Sequence, residues 1–135
     1  MSVDRVLIDT SVWIDYFKGA DSDLTQAVEA LIKSGSVCTA GIILAELLQG
    51  ARSDLEMRVI EDIKESFVLL TSDREGEAWL EAGGLSRELR KAGTTVHLAD
   101  CLIAVLAREN RCRIATRNVH FQAINEKVRI ELILL

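Results

Sequence analysis

The segment VLIDTSVWID, residues 6–15, carries the strongest structural signal at the start of the chain. Its first three residues are apolar without alternation, which is typical of a parallel strand that is buried on both faces. The apolar run ends on Asp9, and the hydroxyl-bearing Thr10 and Ser11 follow it. An unpaired carboxylate costs roughly several kcal/mol when it is buried. The segment therefore predicts an interior strand that ends on an acid in need of a partner.

The composition is that of a folded protein. The chain has 135 residues, of which 49% are hydrophobic, and it contains no proline. We find no low-complexity stretch and no repeat, so we expect a single domain over residues 1–135. The longest uninterrupted apolar stretch, CLIAVLA at residues 101–107, is far too short to span a membrane. No secretory signal is present, and three cysteines lack metal-ligand spacing, which favours a reduced, cytoplasmic protein without a membrane segment.

The formal net charge of −5 argues weakly against broad electrostatic binding of nucleic acid. It does not exclude a nuclease, because a divalent cation can supply the positive charge at the phosphate. Charge alone therefore leaves the function open.

Apolar segments of strand length alternate with helical patterns along the whole chain. The predicted strands are RVLID (5–9), VCTA (37–40), FVLL (67–70), RIAT (113–116) and RIELILL (129–135). Such alternation predicts an α/β fold of three layers, in which a mostly parallel central sheet is flanked by helices.

Local signals locate the ends of several helices. Asp21 or Ser22 can cap a helix whose apolar positions begin at Leu24, and Ser53 with Glu56 forms a capping-box pattern. The same pattern recurs at Ser72 and Glu75, and Thr94 or Thr95 can cap the helix around residue 100. In the long helix after FVLL, we expect Trp79, Ala82, Ser86 and Leu89 on the buried face, and close packing of another helix at Gly83 and Gly84.

Three carboxylates stand in apolar surroundings, unlike most acids of this chain. Glu46 lies in IILAELL, Asp100 lies in LADCLIAVLA, and Asp9 ends the first strand. Ligands of open parallel sheets bind beyond the carboxyl ends of the strands, where these positions can converge. Carboxylates that share a site repel each other, and a divalent cation removes that repulsion. All-oxygen ligands favour Mg²⁺ or Mn²⁺ and thus chemistry on a phosphate ester.

Four ordered segments give the chain a family resemblance. VLIDTSVWIDYF (6–17), AELLQGAR (45–52), LADCLIAVLA (98–107) and IATRNVHF (114–121) together resemble the PIN domain, specifically the VapC-type toxins of bacterial toxin–antitoxin pairs. The resemblance implies a metal-dependent endoribonuclease that acts on structured RNA and is held inactive by a small cognate VapB-type antitoxin. It also implies a homodimer.

The family pattern places Asp9, Glu46 and Asp100 at the metal. Many members have a fourth acid after the fourth strand, but here the segment reads Thr116, Arg117, Asn118. We therefore expect one well-bound metal, and a second that is weak or arrives with the substrate. The amide oxygen of Asn118 could still coordinate the metal or one of its waters.

Our mechanistic hypothesis is that Asp9 and Asp100 bind Mg²⁺ or Mn²⁺ directly, while Glu46 binds it directly or through water. A metal-activated water then attacks the phosphate in line, leaving 5′-phosphate and 3′-hydroxyl ends.

The polar residues around the acids have supporting roles in this hypothesis. Thr10, Ser11, Thr116 and Asn118 would orient carboxylates or water. Ser11 and Asn118 are equally well explained as helix caps. Arg117 would contact an RNA phosphate. Asp15 is expected to face solvent.

A non-catalytic PIN-like module that binds RNA or protein is the alternative, and Asn118 is the feature that favours it. Intact acids at positions 9, 46 and 100 count against it. A signalling receiver domain would need adjacent acids after the first strand and a lysine after the last one, and this chain has neither.

Overall fold

The computed structural model describes residues 4–135, which form an α/β fold. Its strands are β1 (Val6–Ile8), β2 (Val37–Ala40), β3 (Val68–Leu70), β4 (Arg113–Thr116) and β5 (Leu132–Leu134). Its helices are α1 (Thr10–Lys18), α2 (Ser22–Lys33), α3 (Gly41–Gly50), α4 (Asp54–Ser66), α5 (Glu75–Lys91), α6 (Leu98–Glu109) and α7 (His120–Lys127).

The strands form one parallel sheet in the order β3-β2-β1-β4-β5. β1 is central, and Leu7 pairs with Cys38 on one side and Ile114 on the other. The sheet is wholly parallel, which confirms and sharpens the predicted architecture. From β1 the chain first builds the sheet towards β3, and later adds β4 and β5 on the opposite side. This reversal opens a crevice at the carboxyl ends of β1 and β4, where parallel sheets bind ligands.

Residues that frame the crevice are deeply packed. β1 and β2 are buried over their whole length, and so are most residues of α6. Consequently the ends of these elements are rigid points of attachment for the side chains that follow.

The buried face of α5 includes the predicted Ala82 and Leu89 but not the predicted Trp79. Ala78, Ala82, Leu85 and Leu89 are buried, whereas the Trp79 side chain is 44% exposed. The small side chains of Ala78 and Ala82 face inwards and leave the bulky indole at the margin. The expected close helix at Gly83 and Gly84 is also wrong, because a Cβ at either position would meet nothing within 4 Å.

Helix starts follow the sequence signals only in part. Asp21 caps α2 by accepting hydrogen bonds from the amides of Asp23 and Leu24, and the Ser53 hydroxyl accepts one from Glu56 N–H. The second capping box is wrong, because the Ser72 hydroxyl accepts from Arg74 N–H in the turn before α5. α6 begins after His97 without a side-chain cap, so the predicted threonine cap is wrong as well.

Cys38, Cys101 and Cys112 are buried free thiols, as the sequence predicts. Within residues 4–135, no helix is both long and apolar enough to cross a bilayer.

Candidate active site

Asp9 lies at the carboxyl end of β1, at the centre of the crevice. Its backbone N–H donates to the carbonyl of Ala115 at 3.0 Å, which continues the pairing with β4 by one residue. Only 2% of the residue is exposed. The central strand therefore holds a carboxylate in the protein interior, as the apolar run before it predicts.

Two hydroxyl groups orient the Asp9 carboxylate. Ser11 Oγ and Thr116 Oγ1 donate to Asp9 Oδ2 at 2.8 and 2.9 Å. Burial raises the pKa of Asp9, while the hydrogen bonds from Ser11 and Thr116 act in the opposite direction. The hydroxyls thus favour the charged form of an acid that burial would otherwise neutralise.

Glu46 is brought to the same end of the sheet by α3, which follows β2. Thr10 Oγ1 donates to Glu46 Oε1 at 2.9 Å. Because Thr10 is the residue after Asp9, this bond connects the second acid to the start of α1. Glu46 is half-buried, so its carboxylate remains accessible from the crevice.

Asp100 lies in the first turn of α6 and is 8% exposed. Its pKa is raised to about 6, first by burial and then by the negative charges of Asp9 and Glu46, while His97 and Asn118 oppose the increase. The negative charges of Asp9 and Glu46 both act on the Asp100 carboxyl. The structure therefore brings the three predicted acids into one electrostatic cluster.

Asn118 connects this cluster to the loop between β4 and α7. Its Nδ2 donates to Asp100 Oδ2 at 3.2 Å, and its Oδ1 accepts from His120 N–H at 2.9 Å. The Asn118 backbone N–H donates to Thr116 Oγ1 at 2.9 Å. Asn118 therefore contacts the site and supports the start of α7 at once. The amide oxygen keeps a second lone pair, so coordination of a metal or of a metal-bound water by Asn118 stays a prediction.

Arg117 faces acidic side chains of the first two helices. Its guanidinium lies 3.5 Å from Asp15 Oδ2 and 3.2 Å from Asp21 Oδ2. Asp15 is thus paired rather than simply turned to solvent. A contact between Arg117 and an RNA phosphate stays a prediction, and the phosphate would compete with these two carboxylates.

The sequence profile of the PIN domain matches residues 6–127.

This chain belongs to the PIN-domain family. Ribonuclease VapC11 of Mycobacterium tuberculosis is 33% identical over 122 residues, which cover 88% of this chain and 90% of that protein. Ribonuclease VapC1 of Methanocaldococcus jannaschii is 29% identical over 123 residues, covering 90% of this chain and 82% of the relative.

Solved structures share the fold at lower identity. VapBC-1 from nontypeable Haemophilus influenzae superposes with a TM-score of 0.72 at 23% identity, over 96% of each chain. DNA-bound VapBC from Salmonella typhimurium gives a TM-score of 0.72 at 23% identity, over 97% of this chain and 98% of the other. The PIN-like fold predicted from the sequence is confirmed.

The carboxylates of Asp9, Glu46 and Asp100 suit a divalent cation chemically. Among residues 4–135, no three Asp, Glu, His or Cys side chains form a ready-made metal-binding group. Mg²⁺ does not need one, since it is usually held by one or two carboxylates and keeps several waters. The negative charges of Asp9 and Glu46, which raise the pKa of Asp100, are the kind of environment that a cation relieves. The oxygen donors present therefore fit Mg²⁺ or Mn²⁺.

Sequence reasoning gave His97 no part in this PIN site, yet it influences Asp100. It lies at the start of α6, three residues before Asp100, and lowers the pKa of that acid. The spacing in the sequence could have indicated this contact, because residues three apart at the start of a helix lie on the same side.

Proposed function

We propose that this PIN-domain protein is an endoribonuclease that hydrolyses phosphodiester bonds of structured RNA with Mg²⁺ or Mn²⁺, as the toxin of a toxin–antitoxin pair in the cytoplasm. The observation that carries the proposal is the electrostatic cluster of Asp9, Glu46 and Asp100 at the crevice of a parallel sheet. The ribonuclease names of relatives up to 33% identical support it. We also expect the toxin to form a homodimer.

Asp9 and Asp100 are the residues we assign to hold the metal, with Glu46 joining directly or through water. A cation held by these residues would offset their negative charge and supply Lewis-acid polarisation of the scissile phosphate. Ser11 and Thr116 keep the Asp9 carboxylate in a fixed orientation, and this limits the reorganisation needed when the ligands assemble.

Glu46 is the group we assign to accept a proton from the attacking water. It uses Oε1 for the bond from Thr10 and is less buried than Asp9 or Asp100. A carboxylate held at one oxygen keeps the other for a proton, provided that the water lies within hydrogen-bond reach. Water attacks phosphorus opposite the bond to the 3′ oxygen, that bond breaks, and the departing 3′ oxygen takes up a proton, which gives 5′-phosphate and 3′-hydroxyl ends.

The antitoxin is the partner we assign to a groove beside Glu46. This groove has a volume of about 490 Å³, and Ile14, Phe17, Leu47 and Ile60 contribute its apolar lining. Solved structures that share this fold include VapBC-1 and DNA-bound VapBC. An apolar antitoxin segment in this groove would block the route to the acids.

Cleavage of total bacterial RNA by purified, antitoxin-free protein tests the proposal. We expect discrete cuts with Mg²⁺ or Mn²⁺, none with chelator, and 5′-phosphates at the mapped ends. Folded protein that cuts nothing with either metal would favour the alternative, a binding module, and would make the amide of Asn118 the decisive departure. Cyclic phosphate ends would contradict the proposed attack by water.

Asn118→Asp should strengthen metal binding while weakening the metal-free fold. The new carboxylate would replace the Nδ2 donor that lies 3.2 Å from Asp100 Oδ2, so repulsion replaces a hydrogen bond. The remaining carboxylate oxygen can still accept from His120 N–H. We expect roughly tenfold tighter Mn²⁺ binding by calorimetry and a lower melting temperature in chelator. Unchanged affinity would place the metal away from Asp100.

A further inference from the structure

We propose that a cluster of arginines at the amino-terminal ends of the strands, opposite the acids, binds phosphates of the folded RNA substrate outside the active site. The inference rests on the proposed ribonuclease function. The arginine cluster consists of Arg111, Arg113 and Arg129, which line a shallow pocket of about 230 Å³. Arg113 begins β4, so the pocket lies at the amino edge of the sheet, away from Asp9 and Asp100.

Positive charge in this pocket is largely unneutralised. Arg111 and Arg129 are exposed, and neither has a salt bridge within residues 4–135. Among the same described residues, Arg113 has one distant partner, Asp4, at 3.9 Å. The lining carboxylate is that of Glu131. In a chain of net charge −5, this excess of positive charge is a local feature that favours a polyanion.

Arg113 has an unmet hydrogen bond. Its Nε is buried and has no partner in the described structure. A charged donor without an acceptor is costly, so such groups are uncommon in folded proteins. The Arg113 side chain is 28% exposed, so its terminal guanidinium nitrogens rather than the buried Nε are the donors left for a phosphate oxygen in the pocket.

Arg111 occupies a position that usually belongs to glycine. Its φ is 55°, and the other described residues with positive φ are Gly19, Gly35 and Gly93. At the end of a helix this left-handed conformation strains any residue with a Cβ. This conformation closes helix α6, since Cys112 N–H donates to the Ala107 carbonyl at 2.8 Å, and Arg111 then lines the pocket.

Stabilisation of the α6 carboxyl terminus does not explain the whole cluster. Cations near a helix end interact favourably with its dipole, and this accounts for Arg108 and Arg111. Arg108 is also paired with Glu81. Arg113 and Arg129 lie on other elements, so the convergence of charge needs a different explanation.

The distance between the arginine cluster and the acids favours a folded RNA over a small anion as the ligand. Helix α6 connects the two regions, from Asp100 in its first turn to Arg111 just after its end. At 1.5 Å per residue this separation is about 17 Å. A folded RNA with one strand at the acids presents further backbone phosphates at such distances, and recognition of RNA by shape depends on contacts of this kind.

The test measures binding of labelled bulk bacterial transfer RNA by fluorescence anisotropy, in chelator and at several KCl concentrations. For the Arg111→Gly/Arg129→Gln double variant, we expect roughly tenfold weaker binding and a salt slope reduced by about two. Glu131→Gln should bind about twofold more tightly. Arg58→Gln, which removes an exposed arginine of α4, is the matched control and should bind as the parent protein does.

Thermal unfolding separates binding from folding. Arg111→Gly relieves the left-handed strain, so its melting temperature should rise by a few degrees while RNA binding falls. A double variant that binds like the parent, or an equal loss in Arg58→Gln, would overturn the inference. Parent protein that binds RNA through the cluster but cuts none under any metal would overturn the ribonuclease function alone.

Discussion

Asp100→Asn is expected to abolish RNA cleavage, by on the order of 10³-fold or more, and yet to stabilise the metal-free protein near neutral pH. Activity is lost because the variant removes one of the acids assigned to the metal. Stability increases because the ionised Asp100 is buried and lies near the charges of Asp9 and Glu46, which together with burial raise its pKa to about 6. The amide keeps the shape of the side chain without its charge.

The pH dependence has a definite sign. The folded-state pKa of Asp100 is about 6, above its ordinary value of 3.8. Between these values the folded chain retains a proton that the unfolded chain loses, so the free energy of unfolding falls as pH rises. The loss is complete above the folded-state pKa and amounts to about 3 kcal/mol at most. Metal binding offsets it in the parent protein.

Melting temperatures of parent and Asp100→Asn, measured in chelator between pH 4 and 8, check this expectation. The curves should lie close together near pH 4 and separate in favour of the variant above pH 6. Added Mn²⁺ should raise only the parent curve substantially. Asp62→Asn, an exposed acid of α4, is the control, and it should change neither stability nor cleavage. A variant less stable than the parent at pH 7 would contradict the mutual repulsion of the acids.

Thr116→Val is expected to reduce both activity and stability. Thr116 is fully buried, donates to Asp9 and accepts from Asn118 N–H, so valine leaves two polar groups without their partner. The free energy of unfolding should fall by roughly 2–4 kcal/mol. We expect about 10²-fold slower cleavage, because the Asp9 carboxylate loses a donor that fixes its orientation and favours its charged form.

Thr116→Ser separates the hydroxyl from the methyl group. It keeps both hydrogen bonds and should restore most of the cleavage rate, although it loses some packing. The measurements are urea unfolding and cleavage rates at saturating metal for both variants. If valine and serine were equally active, the hydroxyl of Thr116 would have no part in orienting Asp9.

The sequence predicts the buried strands most accurately. VCTA and RIAT coincide with β2 and β4, because short, largely apolar segments without alternation are typical of a covered parallel sheet. The face of α5 was less predictable. A stripe through Trp79 and a stripe through Ala78 both have helical spacing, so the pattern alone does not say which of them is buried. Packing against other helices decides which face turns inwards.

The candidate site was predictable from acids that stand among apolar residues, because a charged side chain is costly to bury. Asp9, Glu46 and Asp100 stand out in apolar runs, and the order of elements brings them to one edge of the sheet. Side-chain direction was not predictable. That Asn118 turns its NH₂ towards Asp100 depends on the bond from His120 N–H to its oxygen, a contact across a turn that composition does not specify.

The sheet order has a consequence for synthesis on the ribosome. β1 is made first, but its neighbour β4 begins at Arg113, and Thr116 lies at the end of that strand. A nascent chain that has emerged only to residue 110 contains all three acids, yet its central strand still has one unpaired edge. Asp9 cannot obtain its bond from Thr116 until β4 is inserted. The candidate site is therefore completed only once β4 has emerged, after all three acids have been made.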